Sequence, residues 1–144
     1  MNDDERYMNL ALNEAREALR RDEVPIGCVI VCGGQVIGRG HNLTQTLCDV
    51  TAHAEMQSLT AAAQTLGGKY LRDATLYVTV EPCVMCAGAI GWAQVGRLVY
   101  GAADPERGYS QLAPRALHPK TTVTAGVLEN ECRELIQNFF QSKR

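Results

Sequence analysis

Two short stretches hold residue types that could do chemistry together: His53-Ala54-Glu55, and further along Pro82-Cys83-Val84-Met85-Cys86. Cysteines at i and i+3 share one face of a helical turn. At a helix start, the positive end of the dipole also favours their thiolates. Taken alone, such a pair reads as a metal clamp, a dithiol redox couple or two buried thiols. With His53 added, the chain offers three ligands for tetrahedral zinc. Structural zinc sites usually close the shell with a fourth protein ligand, whereas catalytic sites keep that position open for water. His41, Cys48, His118 and Cys132 could supply a fourth. None of them stands in a second CxxC or HxxxH pattern, so an open three-ligand site is the simpler reading. Glu55 sharpens it. A carboxylate in a first helical turn favours the dipole and can be otherwise inert. Beside a water-activating zinc it can accept a proton and return it to a substrate.

The elements that must position these residues follow from pattern. Met8, Ala11, Leu12, Ala15 and Leu19 recur at helical spacing, with Asp3, Asp4 and Glu5 in the first turn, Arg20 and Arg21 in the last, and Pro25 beyond. Ile26 to Cys32 reads as a buried central strand in which Cys28 and Cys32 pack as small hydrophobes. Gly33-Gly34 is a hairpin signal returning the chain along Gln35 to Gly40. A polar loop from His41 to Val50 precedes a helix from His53 to Leu66, closed by Gly67-Gly68. Ala74 to Val80 is a strand, Pro82 opens a helix reaching about Gln94, and Arg97 to Gly101 is a further strand. An irregular segment from Asp104 to Lys120 contains Pro105, Pro114 and Pro119, and loops of that length are often functional. A short strand over Thr122 to Ala125 leads to a last helix with Cys132, Leu135, Ile136, Phe139 and Phe140 on one apolar face. The order α-β-β-α-β-α-β-β-α predicts an α/β sandwich with a mixed sheet. Without repeats, low-complexity stretches or linkers, it predicts one domain over residues 1–144.

A chain of 144 residues with 46% hydrophobic and 21% charged residues has the balance of an ordinary globule with a core. No run approaches the roughly 18 apolar residues of a membrane span. The acidic opening Asn2-Asp3-Asp4-Glu5 lacks the basic and apolar regions of a secretory signal. A cytoplasmic location is therefore expected, where cysteine spacing reads as metal or redox chemistry rather than disulfides. The formal net charge of -2 excludes a strongly basic nucleic-acid-binding domain, though not a local basic patch.

An HxE followed by PCxxC is the signature of zinc nucleobase deaminases. The chain resembles the cytidine deaminase-like superfamily, and is most similar to its bacterial tRNA-specific adenosine deaminase branch. The likeness runs from Val24-Pro25-Ile26-Gly27 to Phe139-Phe140, and is carried chiefly by Thr51 to Met56 and by Ala74 to Ala89. The resemblance implies a three-layer α/β/α sandwich around a five-stranded mixed sheet whose last two strands are parallel. The 103–121 connection fits such a crossover. It also implies one Zn2+ per subunit on His53, Cys83 and Cys86, with Glu55 as the proton shuttle and Asn42, Ala54 and Asp104 touching substrate. The implied reaction is hydrolytic conversion of adenosine to inosine at the wobble position of a tRNA anticodon loop, by a homodimer.

Several residues carry a second reading. Asn42 and Asp104 are equally at home in turns. Arg107, Arg115, Lys120, Lys143 and Arg144 are candidate phosphate contacts or ordinary solvated surface. Phe139 and Phe140 could stack on a base, but their spacing favours the core. The chain departs from the family wording at Gly91-Trp92-Ala93-Gln94, where a His-Ser-Arg-like segment is usual. It also departs at Glu106, a commonly basic position, and at Val50, usually proline. All three places lie near the expected RNA-binding rim. Two other functions stay open: deamination of a free guanine- or cytosine-type base or nucleoside, and a non-catalytic zinc-stabilised binding module.

Overall fold

Gly33 and Gly34 adopt the positive φ values that a tight hairpin requires, 58° and 78°. They join β1 (Gly27–Cys32) to β2 (Gln35–His41) as an antiparallel pair. The computed structural model describes all 144 residues. Next to β1 lies β3 (Ala74–Val80), also antiparallel to it. Then β4 (Arg97–Ala102) and β5 (Thr122–Ala125) continue in parallel, giving the order β2-β1-β3-β4-β5.

Side chains alternate across the strands and build two cores. On one face, Val29, Tyr77 and Val99 pack under α1 (Asp3–Arg20) and α6 (Glu129–Ser142), with Met8, Leu12 and Cys132. On the other, Cys28, Ile30, Leu76, Val78 and Leu98 pack under α3 (Ala54–Leu66) and α4 (Val84–Trp92), with Ala62 and Ile90. The expected three-layer α/β/α sandwich with a five-stranded mixed sheet is therefore the observed one. Burial on both faces explains why β1 reads as an unbroken apolar run. Gly27 lets α1 lie close on β1, since a Cβ there would fall 2.0 Å from the Ala11 carbonyl oxygen. The Asp4 carboxylate then ties α1 to the sheet. It accepts two hydrogen bonds from the Arg97 guanidinium at 2.8 and 2.7 Å, and one from the Tyr77 hydroxyl at 2.8 Å.

Several boundaries differ from expectation, each for a local reason. The polar loop after β2 contains a short helix, α2 (Thr44–Leu47), and the irregular segment contains α5 (Tyr109–Leu112). Pro82 lies outside its helix: α4 begins at Val84, with Cys83 as its cap. It ends at Trp92 rather than Gln94, which sits in the left-handed region at φ 56°. The helix expected from His53 starts at Ala54, with His53 as its cap. The apolar face of α6 is narrower than expected. Phe139 is buried, whereas Phe140 is 48% exposed and touches Phe139 edge-on. No helix is long and apolar enough to cross a membrane.

Candidate active site

His53 and Cys83 each occupy the position before a helix, where a side chain ordinarily accepts a bond from the first turn. Neither makes such a bond. The two side chains face each other instead, and Cys86, one turn into α4, joins them. His53 Nδ1 lies 3.7 Å from Cys83 Sγ and 3.5 Å from Cys86 Sγ, and the three donor atoms all lie within 4.8 Å of one another. Zinc–sulfur and zinc–nitrogen bonds of about 2.3 and 2.0–2.1 Å give a nitrogen–sulfur edge of about 3.6 Å in a tetrahedron. The donor set therefore has the spacing that zinc requires.

The four other donors considered lie elsewhere. His41 Nδ1 pairs with the Glu14 carboxylate at 3.1 Å, and His118 Nδ1 accepts the Lys120 backbone N–H. Cys48 is exposed, and Cys132 is buried in the core on the opposite face of the sheet. The cluster has three protein donors and no fourth.

Its electrostatics suit a cation. The Cys83 thiol is pushed down to about 4, chiefly by the hydrogen bond from Cys86 and further by His53, against the opposing effect of burial. Cys86 is pushed up, because it supplies that hydrogen and is buried. His53 is raised by its contact with the Cys83 sulfur. The N-termini of α3 and α4 add positive potential, which favours thiolate.

Glu55 follows His53 by two residues in the first turn of α3 and is 4% exposed. Burial raises its carboxyl from the usual 4.5 to about 7, and the nearby Cys83 sulfur adds to the rise. It faces a cavity of ≈ 290 Å³ that also touches His53 and Cys83. That is near the lower end of small-molecule sites, which start at about 300 Å³. The three expected substrate residues, Asn42, Ala54 and Asp104, all line this cavity. Asn42 Oδ1 accepts the Thr44 N–H at 3.1 Å, which leaves the amide N–H groups free. The Asp104 carboxylate builds a turn by accepting the Glu106 and Arg107 N–H groups at 3.1 and 3.0 Å. Its turn role and its place at the cavity thus coexist.

Two further buried carboxylates shape the cavity walls and have no role in the sequence reading. Glu81, 5% exposed, accepts the Asp104 N–H at 3.1 Å, the Ser110 N–H at 3.0 Å and the Ser110 hydroxyl at 2.6 Å. It fastens the 104–110 wall to the strand end that leads into Cys83. Glu23, 1% exposed, accepts the Gln45 and Thr46 N–H groups at 3.1 and 2.7 Å and so caps α2 from a distance. Burial pushes its carboxyl up, but the hydrogen bonds from Thr46 and Gln45 prevail and hold it below its usual value. The signal for Glu81 was a charge at the end of an apolar strand, next to the Pro-Cys run. Glu23, in a charged stretch with Asp22, gave none.

The MafB19-like deaminase family model matches residues 2–144. A tRNA-specific adenosine deaminase of Agrobacterium fabrum (strain C58 / ATCC 33970) is 48% identical over 143 residues, covering 96% of this chain and 94% of that relative. One of Bacillus subtilis (strain 168) is 44% identical over 149 residues, covering 100% and 92%. Among solved structures, one from work on A-to-I editing by tRNA deaminases at the wobble position matches with a TM-score of 0.84 and 47% identity. It covers 90% of this chain and 98% of that one. A guanine deaminase from Nitrosomonas europaea matches with a TM-score of 0.80 and 26% identity, covering 94% and 83%.

Two expectations follow from this geometry. In metal-free protein the unfolded Glu55 carboxyl ionises near 4.5 and the folded one near 7, so the folded state holds the extra proton between those values. Stability therefore falls as pH rises through that window and stays lower above it. Glu55→Gln should be stabilised over the parent by a few kcal/mol more at pH 8 than at pH 4, read from urea midpoints. A difference that does not change with pH contradicts this. Glu81→Ala should cost about 2–4 kcal/mol in stability by stranding three donors. It should also raise KM more than it lowers kcat, and an unchanged KM would remove Glu81 from wall positioning.

Proposed function

The chain belongs to the MafB19-like deaminase family, and on that premise we propose that it hydrolytically converts adenosine to inosine at the wobble position of a tRNA anticodon loop. The observation that carries this reading is the open cluster of His53, Cys83 and Cys86, with Glu55 against the same cavity, in a chain 41–48% identical over nearly its full length to tRNA-specific adenosine deaminases. One deaminase domain would span residues 1–144, and its single three-donor cluster would hold one zinc per chain.

A zinc ion there would supply a Lewis acid that activates water at neutral pH. The remaining work falls to the chain. With a carboxyl near neutrality, Glu55 is matched to taking the proton of the attacking water and giving it to the purine ring nitrogen. A second proton delivered to the exocyclic nitrogen lets ammonia leave. Asn42 can donate its free amide N–H to the nucleoside. The Ala54 N–H, at the first position of α3, has no intrahelical partner and can donate to the base. The small Ala54 side chain leaves room for a flat ring.

A polymeric substrate has further support. A second recess of ≈ 500 Å³ adjoins the cavity, sharing Asp104 and Arg107 with it and extending past Arg133 and the exposed Phe140. That recess gives flanking nucleotides room, charge and a stacking surface. An anticodon loop also presents its base unpaired, so little energy is spent extruding it. Homodimer formation is part of this proposal. Val84, Met85 and Trp92 form an exposed apolar row on α4, Trp92 being 85% exposed, with Leu112 and Val50 also uncovered. Exposed apolar surface of this kind marks association sites. A cytoplasmic location is likewise part of this proposal.

Glu55→Ala should retain one zinc per chain by elemental analysis and a native circular dichroism spectrum, while losing about 10²–10⁴-fold in turnover. A folded, zinc-loaded variant that still turns over at the parent rate would remove Glu55 from the mechanism. Retained activity after complete zinc removal would remove the metal.

A further inference from the structure

At the end of the sheet opposite the catalytic cavity, the turn before β3 and the segments leading into β4 and β5 enclose a recess of ≈ 450 Å³. Its polar lining is Arg72, Gln94, His118 and Lys120, with no carboxylate among them. Arg72 is held by neutral partners only. Its Nε donates to Gln94 Oε1 at 2.7 Å, and its guanidinium lies 4.8 Å from the Tyr70 ring centroid. Lys69 lies over the same ring at 5.2 Å. Arg6, Arg20, Arg97 and Arg133 all have carboxylate partners, whereas Arg72, Lys69 and Lys120 have none.

The remaining groups are also set as donors. His118 Nδ1 accepts the Lys120 N–H at 3.1 Å, so the neutral ring carries its proton on Nε2. Gln94 has its oxygen occupied by Arg72, which leaves its amide N–H groups. The backbone beneath them is fixed. The Gly96 N–H donates to the Leu71 and Ala74 carbonyls, and a Cβ on Gly96 would meet the Arg72 oxygen at 2.3 Å. A concave set of donors with positive charge and no carboxylate matches an oxyanion better than a cation.

We propose that this recess binds a phosphate group and that, resting on the tRNA reading above, its natural source is a backbone phosphodiester of the RNA outside the catalytic cavity. β3 has seven residues and runs from one site to the other. At about 3.3 Å per residue the two sites stand roughly 20 Å apart, a span that a polymer bridges and a single nucleoside does not.

The test uses zinc-loaded protein and the double variant Arg72→Gln, Lys120→Gln, both exposed positions remote from the catalytic cavity. Inorganic phosphate should shift the amide resonances of residues 94–96, His118 and Lys120 saturably in the parent and not in the variant. Full-length tRNA should bind the variant about 5–20-fold more weakly, with a salt slope shallower by about 1, as expected for one lost phosphate contact. Turnover of a saturating minimal anticodon stem-loop should be unchanged. Phosphate shifts that persist in the variant, or are absent from the parent, overturn the site. Phosphate binding lost with tRNA affinity intact overturns RNA as its source and leaves free phosphate as the ligand. A parent that deaminates no RNA defeats the tRNA reading, while the phosphate titration still decides whether the recess is a site.

Discussion

Two helices must begin at the same point in space for this chain to hold a metal. Tetrahedral zinc fixes its ligand atoms to within a few tenths of an ångström. Here two of the three donors, His53 and Cys83, are the caps of helices distant in sequence, and the third, Cys86, lies one turn into α4. The caps give up their ordinary hydrogen bonds, and the side chains turn to each other. The sheet makes this possible. β3 delivers Pro82 and Cys83 directly from its end, and α3 is packed over β1 and β2 so that its first residue faces them. Gly38 and Gly40 permit that packing: a Cβ at Gly38 would lie 2.5 Å from the Ser58 carbonyl oxygen, and one at Gly40 2.6 Å from Gln57 Cβ.

Buried charge is then used in two opposite ways. For Glu55 desolvation outweighs the hydrogen bonds from its own backbone and from Cys86, and its carboxyl is left near neutrality, where proton transfer in either direction is easy. Glu23 and Glu81 are as deeply buried but fully supplied with N–H and O–H donors. They act as fasteners, one for each wall of the cavity. Removing a donor from either fastener would loosen a wall, whereas adding a donor to Glu55 would lower its proton affinity and blunt the chemistry assigned to it.

Much of this was legible beforehand. Local signals carried the frame. The Gly33-Gly34 turn, the apolar run of β1 and the helix-forming stretch ending at Gly67 each folded as their residue types dictate. The HxE and PCxxC spacing brought together the same three donors that the fold places in one cluster. What escaped was set by tertiary packing. Pro82 reads as a helix starter, yet its neighbour Cys83 is drawn into the cap by His53. Phe139 and Phe140 are adjacent and chemically identical, and only the position of α6 on the sheet decides that one is buried and the other exposed. The donors supplied to Glu81 come from a loop more than twenty residues away, which no local pattern encodes. The recess around Arg72 draws on three separate segments, and of its lining only Lys120 stood out in the sequence as a candidate phosphate contact.

The most direct test of the account offers the zinc-loaded protein, in parallel, a tRNA with adenosine in its anticodon loop, free adenosine, cytidine and guanine, and measures ammonia release together with inosine in the RNA. Turnover is expected on the tRNA alone, with one inosine formed per ammonia released. Turnover on a free base or nucleoside in preference to the tRNA would contradict it, while leaving the zinc cluster and Glu55 to serve a different substrate.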